Sequence, residues 1–325
     1  MNDAPIRIGL LGAARIAPMA IIEPARARDD VRVTAVAARD SGRAQAYARE
    51  HGIEGVSDNY EALIARDDVD LVYIALPPDL HCRWAIAALE AGKAVLCEKP
   101  FALNATEAQA MVATAQRTGQ LLIEAFHYRF HDLMAKALQL MSDGAIGTPL
   151  TAAADVRYPI PWRAGEPRWS AEHGGGALMD LGCYGLHALR ALLGAEPEII
   201  SSKLRIEHGV DVETRAILRF AGVDAVLNCA MNPIDPSTTI QINGSEGRLD
   251  IAGLVLPQRA GRLTLTRGAD AEDVPISGPT SYAAQLDHVL AVLRGTEPQI
   301  TGGADAIANM TAIDAILDRS KGVAN

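Results

Sequence analysis

Between residues 6 and 125, five short apolar runs (6–11, 31–37, 71–76, 94–97 and 121–125) alternate with helical stretches. That alternation leaves few folds open. Strands separated by helices pair in parallel, because a parallel crossover needs a dozen or more residues and a helix supplies them. The helix ends are also readable. Asp58-x-x-Glu61 and Asn104-x-x-Glu107 have capping-box spacing, and Gly52 and Gly119 stand where a left-handed residue closes a helix. After residue 150 the pattern changes: strand-like runs at 151–158, 198–208, 213–221, 223–231, 238–244, 247–252 and 262–268 follow one another across short Gly, Asn or Asp turns. Strand after strand without intervening helices predicts an antiparallel sheet. Helical patterns at 181–193, 281–294 and 303–318 make this second part α+β.

A chain of 325 residues fits two domains, each with a sizeable core. Acids outnumber bases by 40 to 30, for a net charge of −10, with no basic stripe of the kind phosphate backbones require. A nucleic-acid role is therefore not expected. No apolar run approaches the ~20 residues needed to cross a bilayer, so no membrane role is expected either. The opening "MNDAPIRIGLLGAARIAP" lacks the charged-then-apolar build of a signal peptide. Cys82, Cys97, Cys183 and Cys229 are widely spaced without a C-x-x-C pair, which suits a reduced, cytoplasmic protein.

In "IGLLGAARIAP" the first strand runs into a tight turn, with a helix expected from about Arg15. Set against G-x-G-x-x-G, the turn reads Gly12-x-Ala14-x-x-Ala17 and keeps only the first glycine. The physics survives: Gly12 permits the turn, Ala14 is small enough for a pyrophosphate to approach backbone N–H groups, and Ala17 allows close helix–strand packing. Together with the βαβ rhythm this predicts a Rossmann dinucleotide-binding domain over residues 1–125, with Gly12, Ala13, Ala14, Arg15 and Ile16 at the phosphates. The α+β domain over 126–325, with a large and mostly antiparallel sheet, would bind substrate and mediate oligomerisation. Its closing helix is a candidate to pack back on the first domain.

At the end of the second strand, Ala38 stands where an NAD enzyme usually places a ribose-binding carboxylate, and Arg39 follows. A guanidinium suits a 2′-phosphate, so NADP(H) is expected ahead of NAD(H), with Asp40 the alternative carboxylate.

"VLCEKPF" ends a central strand at Cys97 and presents Glu98, Lys99 and Pro100 toward the crevice where doubly wound sheets bind ligands. Pro100 restricts Lys99 to an extended backbone. This stretch, with "ALPPDLHCRWAIAALEAGKAV", "EAFHYRFH", "GAIGTP", "GGGALMDLGCYGLHALR" and "DAIANMTAIDAIL", resembles the glucose–fructose oxidoreductase and inositol dehydrogenase (Gfo/Idh/MocA) family over nearly the whole chain. The resemblance implies that Lys99 lies beside the nicotinamide and the substrate, that the peptide before Pro100 is cis, and that Leu76, Pro77, His81 and Glu98 belong to the cofactor site. It assigns Glu98 no derived role.

"GGGALMDLGCYGLHALR" places Asp180, Tyr184 and His187 at i, i+4 and i+7, on one face of a helix behind a glycine run. A carboxylate, a phenol and an imidazole in a column suit proton transfer and hydroxyl binding. Asp180-x-x-x-Tyr184 resembles the family branch of glucose–fructose oxidoreductase and the dimeric dihydrodiol dehydrogenases, in which the tyrosine is the acid/base. An ordinary phenol has a pKa of about 10, and a neighbouring ammonium such as Lys99 favours its phenolate. Asp180 and His187 would orient substrate hydroxyls or tune Tyr184.

The preceding "RYPIPWRAGEPRWSAEHGGG" supplies Trp162, Arg163, Arg168 and Trp169 for a polyol or sugar, since indole faces stack on sugar rings and arginines bind hydroxyls. An aldose dehydrogenase is the leading reading; a trans-dihydrodiol dehydrogenase or keto-sugar reductase is the alternative, and a silent cofactor-binding regulator is the rival from another class. No metal site is expected: His127 and His131 are four apart but lack a third partner at ligand spacing. His127 stands where the family has an apolar residue. A homodimer or homotetramer through the open sheet face is expected.

Overall fold

A computed structural model describes residues 4–321, and in it the chain divides into two compact units. One runs to Phe126 and takes in Tyr282–Ile307; the other comprises His127–Ser281 and the chain from Ala308. Residues 282–307 therefore leave the second domain that a single boundary at 125 would give them. Contacts across more than 170 residues, invisible to local periodicity, account for the difference. Gln299 Nε2 donates to the Leu122 carbonyl (2.6 Å) and Thr301 Oγ1 to that of Glu124 (2.7 Å). Arg28 pairs with Asp287, and Arg294 with Asp30 (2.8 Å).

The first unit contains β1 (Ile6–Leu11), β2 (Val31–Ala37), β3 (Gly55–Val56), β4 (Leu71–Ile74), β5 (Ala94–Cys97) and β6 (Leu122–Glu124). They form a parallel sheet in the order β3-β2-β1-β4-β5-β6. Every residue of β4 and β5 is buried, which is why these strands read as unbroken apolar runs rather than alternating ones. The order reverses beside β1, creating a topological switch point at the strands' carboxyl ends. β3 is two residues long, too short to show a period. The Asn104 side chain caps its helix by accepting from Glu107 N (3.0 Å), while Glu107 Oε2 reaches back to Leu103 N (3.0 Å). At the other expected box the cap is Asn59 rather than Asp58, accepting from Ala62 N (2.7 Å).

The ion pairs at the start of β2 give a first prediction. Hydrogen bonding from Arg28, assisted by Arg294, holds the Asp30 carboxyl well below the ordinary 3.8. A folded pKa below the unfolded one stabilises above the unfolded value and is lost as pH falls through the folded one. Asp30 is more than a third exposed, so solvent screening limits the effect. Asp30→Asn is expected to cost about 0.5–1 kcal/mol at pH 7. In urea titrations that difference should shrink steadily below pH 3.8.

The second unit is built on β7 (Pro149–Arg157), β8 (Pro197–Glu207), β9 (Val210–Phe220), β10 (Val223–Ala230), β11 (Ser237–Gly244), β12 (Arg248–Ala252), β13 (Arg262–Arg267) and β14 (Asp270–Val274). The sheet order is β14-β13-β12-β11-β7-β10-β9-β8, antiparallel except for the β7–β10 pair. β14 has no sequence signature because it is an acidic, exposed edge strand paired only to β13. The helix Asp132–Ser142, also absent from the sequence reading, starts at His131, whose Nδ1 accepts from Leu133 N (3.1 Å). Along β9, Val212, Thr214, Ala216 and Leu218 are buried and alternate with outward Glu213, Arg215, Ile217 and Arg219. The helix Cys183–Leu193 packs closely on the buried face: a Cβ at Gly185 would stand 2.8 Å from Leu227 Cδ1. Among the described residues, no helix is long and apolar enough to cross a membrane.

Candidate active site

The first turn of the parallel sheet is shaped by small residues. Gly12 has φ +105°, and a Cβ there would stand 2.8 Å from the Ala75 carbonyl oxygen, so any larger residue would be both strained and blocked. Ala13 is buried against Ala38 and Ala44. A wide, π-type helical turn begins at Pro18, where an α-helix was expected from about Arg15. Proline lacks the N–H that a first helical position leaves unpaired, and residues 12–16 are freed as a loop. A loop at the switch point that opens with a glycine and two alanines fits a dinucleotide pyrophosphate.

Two residues missed in the sequence hold this loop. Arg43 Nη2 donates to the Ala13 carbonyl (2.8 Å) and the Tyr47 hydroxyl to that of Ala14 (2.9 Å). Their signal was present: they are four apart, on one face of the helix Ser41–His51. Ala13, Arg15, Pro18, Arg43, Tyr47 and His51 line an open cleft of about 380 Å³. Arg39 is exposed beyond β2, whereas Asp40 Oδ1 caps the following helix by accepting from Arg43 N (2.6 Å).

Beyond β5, Glu98 acquires a partner. The fully buried Tyr73 donates its hydroxyl proton to Glu98 Oε1 at 2.6 Å, and burial with the adjacent carboxylate pushes that phenol well above its usual range. Glu98 Oε2 also faces the Lys99 N–H at 3.3 Å, and the Lys99–Pro100 peptide is cis. His81 was expected at the cofactor. It is instead fully buried, with Nδ1 3.0 Å from the Pro100 carbonyl and Nε2 2.8 Å from that of Leu76. Burial lowers its pKa, and a neutral imidazole donates only one of those two bonds. His81 thus lies between the chain after β4, at Leu76, and the Lys99–Pro100 turn, and gives its one N–H to a carbonyl of either side.

In the second unit, the glycine run leads into a wide turn, Leu178–Gly182, in which Cys183 N reaches back to the Leu178 carbonyl. The expected column therefore starts one residue wider than α-helical spacing. Buried Asp211, unnoticed in the sequence, accepts from Leu178 N (2.8 Å) and Thr214 Oγ1 (2.7 Å). Burial raises its pKa against those two bonds. At Gly176, φ +120°, a Cβ would stand 2.0 Å from Asp211 Oδ1, so only glycine lets the carboxylate reach the helix start.

Tyr184 is 5% exposed, with its hydroxyl 3.3 Å from His127 Nε2. His127 Nδ1 is 2.8 Å from Ser281 Oγ, which donates to Gln258 Oε1 (3.0 Å). Because the serine proton is committed to Gln258, His127 Nδ1 carries the hydrogen toward Ser281 and Nε2 is left as an acceptor for the tyrosine. His187 Nδ1 meets the Tyr128 hydroxyl at 2.5 Å, and the Tyr128 ring lies 5.8 Å from that of Tyr184. Arg168 hydrogen-bonds Glu166 (2.9 Å); burial would lower its pKa, but Glu166 and the nearby Asp180 charge raise it. Trp169 is buried, its indole N–H donating to Ile160 (3.0 Å), and is not free to stack on a ligand. Arg163 and Trp162 are exposed.

Residues 6–126 match the oxidoreductase family with an NAD-binding Rossmann fold, GFO/IDH/MocA, and residues 134–250 match the GFO/IDH/MocA C-terminal domain. This chain belongs to the Gfo/Idh/MocA family. It is 33% identical over 321 residues to a dTDP-3,4-didehydro-2,6-dideoxy-α-D-glucose 3-reductase of Actinomadura kijaniata, covering 97% of this chain and 96% of that protein. It is 32% identical to a D-xylose 1-dehydrogenase (NADP(+)) of Haloferax volcanii, covering 96% and 97%. A crystal structure of a 3-ketoreductase from Actinomadura kijaniata with NADP and TDP-benzene superposes with a TM-score of 0.87 at 32% identity, covering 97% of this chain and 98% of that one. As a Gfo/Idh/MocA member the chain is an oxidoreductase, and the rival reading of a silent regulator lapses.

Proposed function

We propose that this Gfo/Idh/MocA oxidoreductase interconverts a carbinol and a carbonyl on a sugar, with NADP(H) as cofactor and Tyr184 as the acid/base. The observation that carries the reading is the buried Tyr184–His127 contact, a phenol aimed at an imidazole acceptor. The loop from Gly12 to Ile16, with Arg39 at the adenosine end, would hold NADP(H), which would supply or accept the hydride when bound. Tyr184 takes the hydroxyl proton in oxidation and returns it in reduction, His127 eases that exchange, and Lys99 stabilises alkoxide charge on the same oxygen. Asp180, beside Arg168, orients substrate hydroxyls. Buried His187 keeps Tyr184 in place through Tyr128 and is a positioning residue.

NADP is preferred because Ala38 offers no carboxylate, Asp40 is spent on its cap and Arg39 is exposed. The NADP named for both relatives agrees with this choice. Keto-sugar reduction is the same chemistry run in reverse, as the similarity to a 3-reductase suggests. The same reading includes a homodimer or homotetramer joined through the open face of the second sheet, where Ala153, Ile217 and Val226 line a shallow cleft of about 360 Å³.

The test is nicotinamide absorbance with a panel of aldoses and keto-sugars, supplied with NADP(H) or NAD(H). Turnover with NADP(H) preferred is expected, and Arg39→Asp should lower the NADP-to-NAD ratio of kcat/KM by about tenfold or more, the scale of one charge-assisted phosphate contact. An unchanged ratio would remove Arg39 from cofactor choice, and no turnover with any sugar would refute the substrate class.

A further inference from the structure

We propose that the substrate carries a second ring, a pyranose or a nucleobase, which stacks on the open face of Trp162, and that His208 is the residue that presents this platform. The inference rests on the sugar oxidoreductase reading above and extends it to the size of the substrate.

Trp162 is 52% exposed although it is one of only three tryptophans in the chain. One face of its indole lies on the His208 imidazole, with centroids 5.0 Å apart and planes within 25°, so the exposed area is the other face and the edge. His208 also meets Trp169 in a T-shaped contact, at 5.7 Å and 76°. Trp169 is fixed in turn by its hydrogen bond to Ile160. The result is a braced aromatic stack with its outermost face left open.

The position of His208 is conformationally unusual. With Gly209 it forms the two-residue turn between β8 and β9, and both have positive φ, 51° and 83°. Such turns favour Asn-Gly or Asp-Gly, and asparagine would sit there with less backbone strain. Asparagine could not back an indole. The histidine is thus accounted for by what its ring does for Trp162.

The platform is continuous with the chemistry. Trp169 follows Arg168, whose carbonyl accepts from Gly176 N (3.0 Å) at the head of the site helix. The Arg168 guanidinium feels the charge of Asp180, and Tyr184 stands four residues further on. A ring reacting at Tyr184 and a second ring on Trp162 would be joined past Arg168, whose charge suits hydroxyls or a phosphate linker.

Intrinsic fluorescence provides the assay, since Trp84 and Trp169 are buried and Trp162 dominates the accessible signal. The full-length protein is titrated with thymidine diphosphate, with cellobiose, and with xylose as a one-ring control. Either two-ring probe is expected to quench and to bind at least about tenfold tighter than xylose, the scale of one stacked ring. Quenching by thymidine diphosphate alone marks a nucleobase, and by cellobiose alone a glycan. Trp162→Ala lacks the reporter and is titrated by calorimetry beside the parent protein; it should abolish that advantage. His208→Asn, which suits the turn, should lose several-fold in affinity while NADPH binding stays unchanged in both variants.

Equal affinity in Trp162→Ala, or no advantage for either probe, overturns the proposal, as does a Trp162→Ala variant that changes subunit association in sedimentation but not probe affinity. Xylose turnover without a two-ring advantage would sink the platform and leave the sugar reading intact. A two-ring advantage without turnover of any sugar would do the reverse.

Discussion

Tyr184→Phe is expected to lower kcat by about 10²–10⁴-fold, the usual contribution of a positioned general acid/base. NADPH should still bind with parental affinity. The substitution removes one oxygen from a ring whose packing is set by Tyr128 and His127, with centroids 5.8 and 6.0 Å away, so the cluster keeps its shape. What disappears is the proton carrier. His127→Phe tests the next link. With Ser281 fixing the tautomer, His127 Nε2 accepts from the phenol and helps deprotonate it in oxidation. The variant should lose about tenfold in kcat, the smaller share expected of a helper group. Steady-state kinetics, alongside cofactor titration, reads both effects. Near-parental turnover in Tyr184→Phe would take this residue out of the chemistry.

The contrast between what could and could not be read from the sequence follows the range of the interactions. β4 and β5 declare themselves because burial of every residue demands continuous apolar runs, and Gly52 and Gly119 because a left-handed φ closes those helices. The column at Asp180, Tyr184 and His187 was legible as helical spacing. Its partners were not, since Tyr128 and His127 approach from nearly 60 residues upstream and Ser281 from nearly 100 downstream. His127 looked like an anomaly where an apolar residue belongs; the tertiary contact with Tyr184 gives it a reason. Trp169 shows the opposite failure. An aromatic near a sugar site suggests a binding face, and only its burial and its bond to Ile160 reveal a bracing role. β14 was missed because edge pairing needs backbone alone, and an acidic segment can provide that without a pattern.

Lys99→Ala should reduce kcat by about 10²–10³-fold, comparable to removal of one preorganised donor to a developing oxyanion. NADP affinity should change much less. The geometry around the residue explains why position matters as well as charge. β5 delivers the chain to the carboxyl end of a central strand, Glu98 N extends the ladder by donating to the Ile74 carbonyl (3.0 Å), and the Glu98 carboxylate is turned back onto Tyr73. His81 then packs beside the turn, with its single N–H available to the Pro100 or the Leu76 carbonyl. Lys99 thus follows a segment anchored on both sides, so its ammonium starts from a defined backbone. Lys99→Arg keeps the charge but spreads it over a wider planar fork, and it should recover little of the lost rate. Tyr73→Phe keeps Lys99 itself and removes only the bond that anchors Glu98; a loss in kcat with a smaller change in KM would show that the anchoring matters. Two outcomes would count against this role: Lys99→Ala turning over normally, or its whole defect appearing in KM, since a group that stabilises only the transition state acts on kcat.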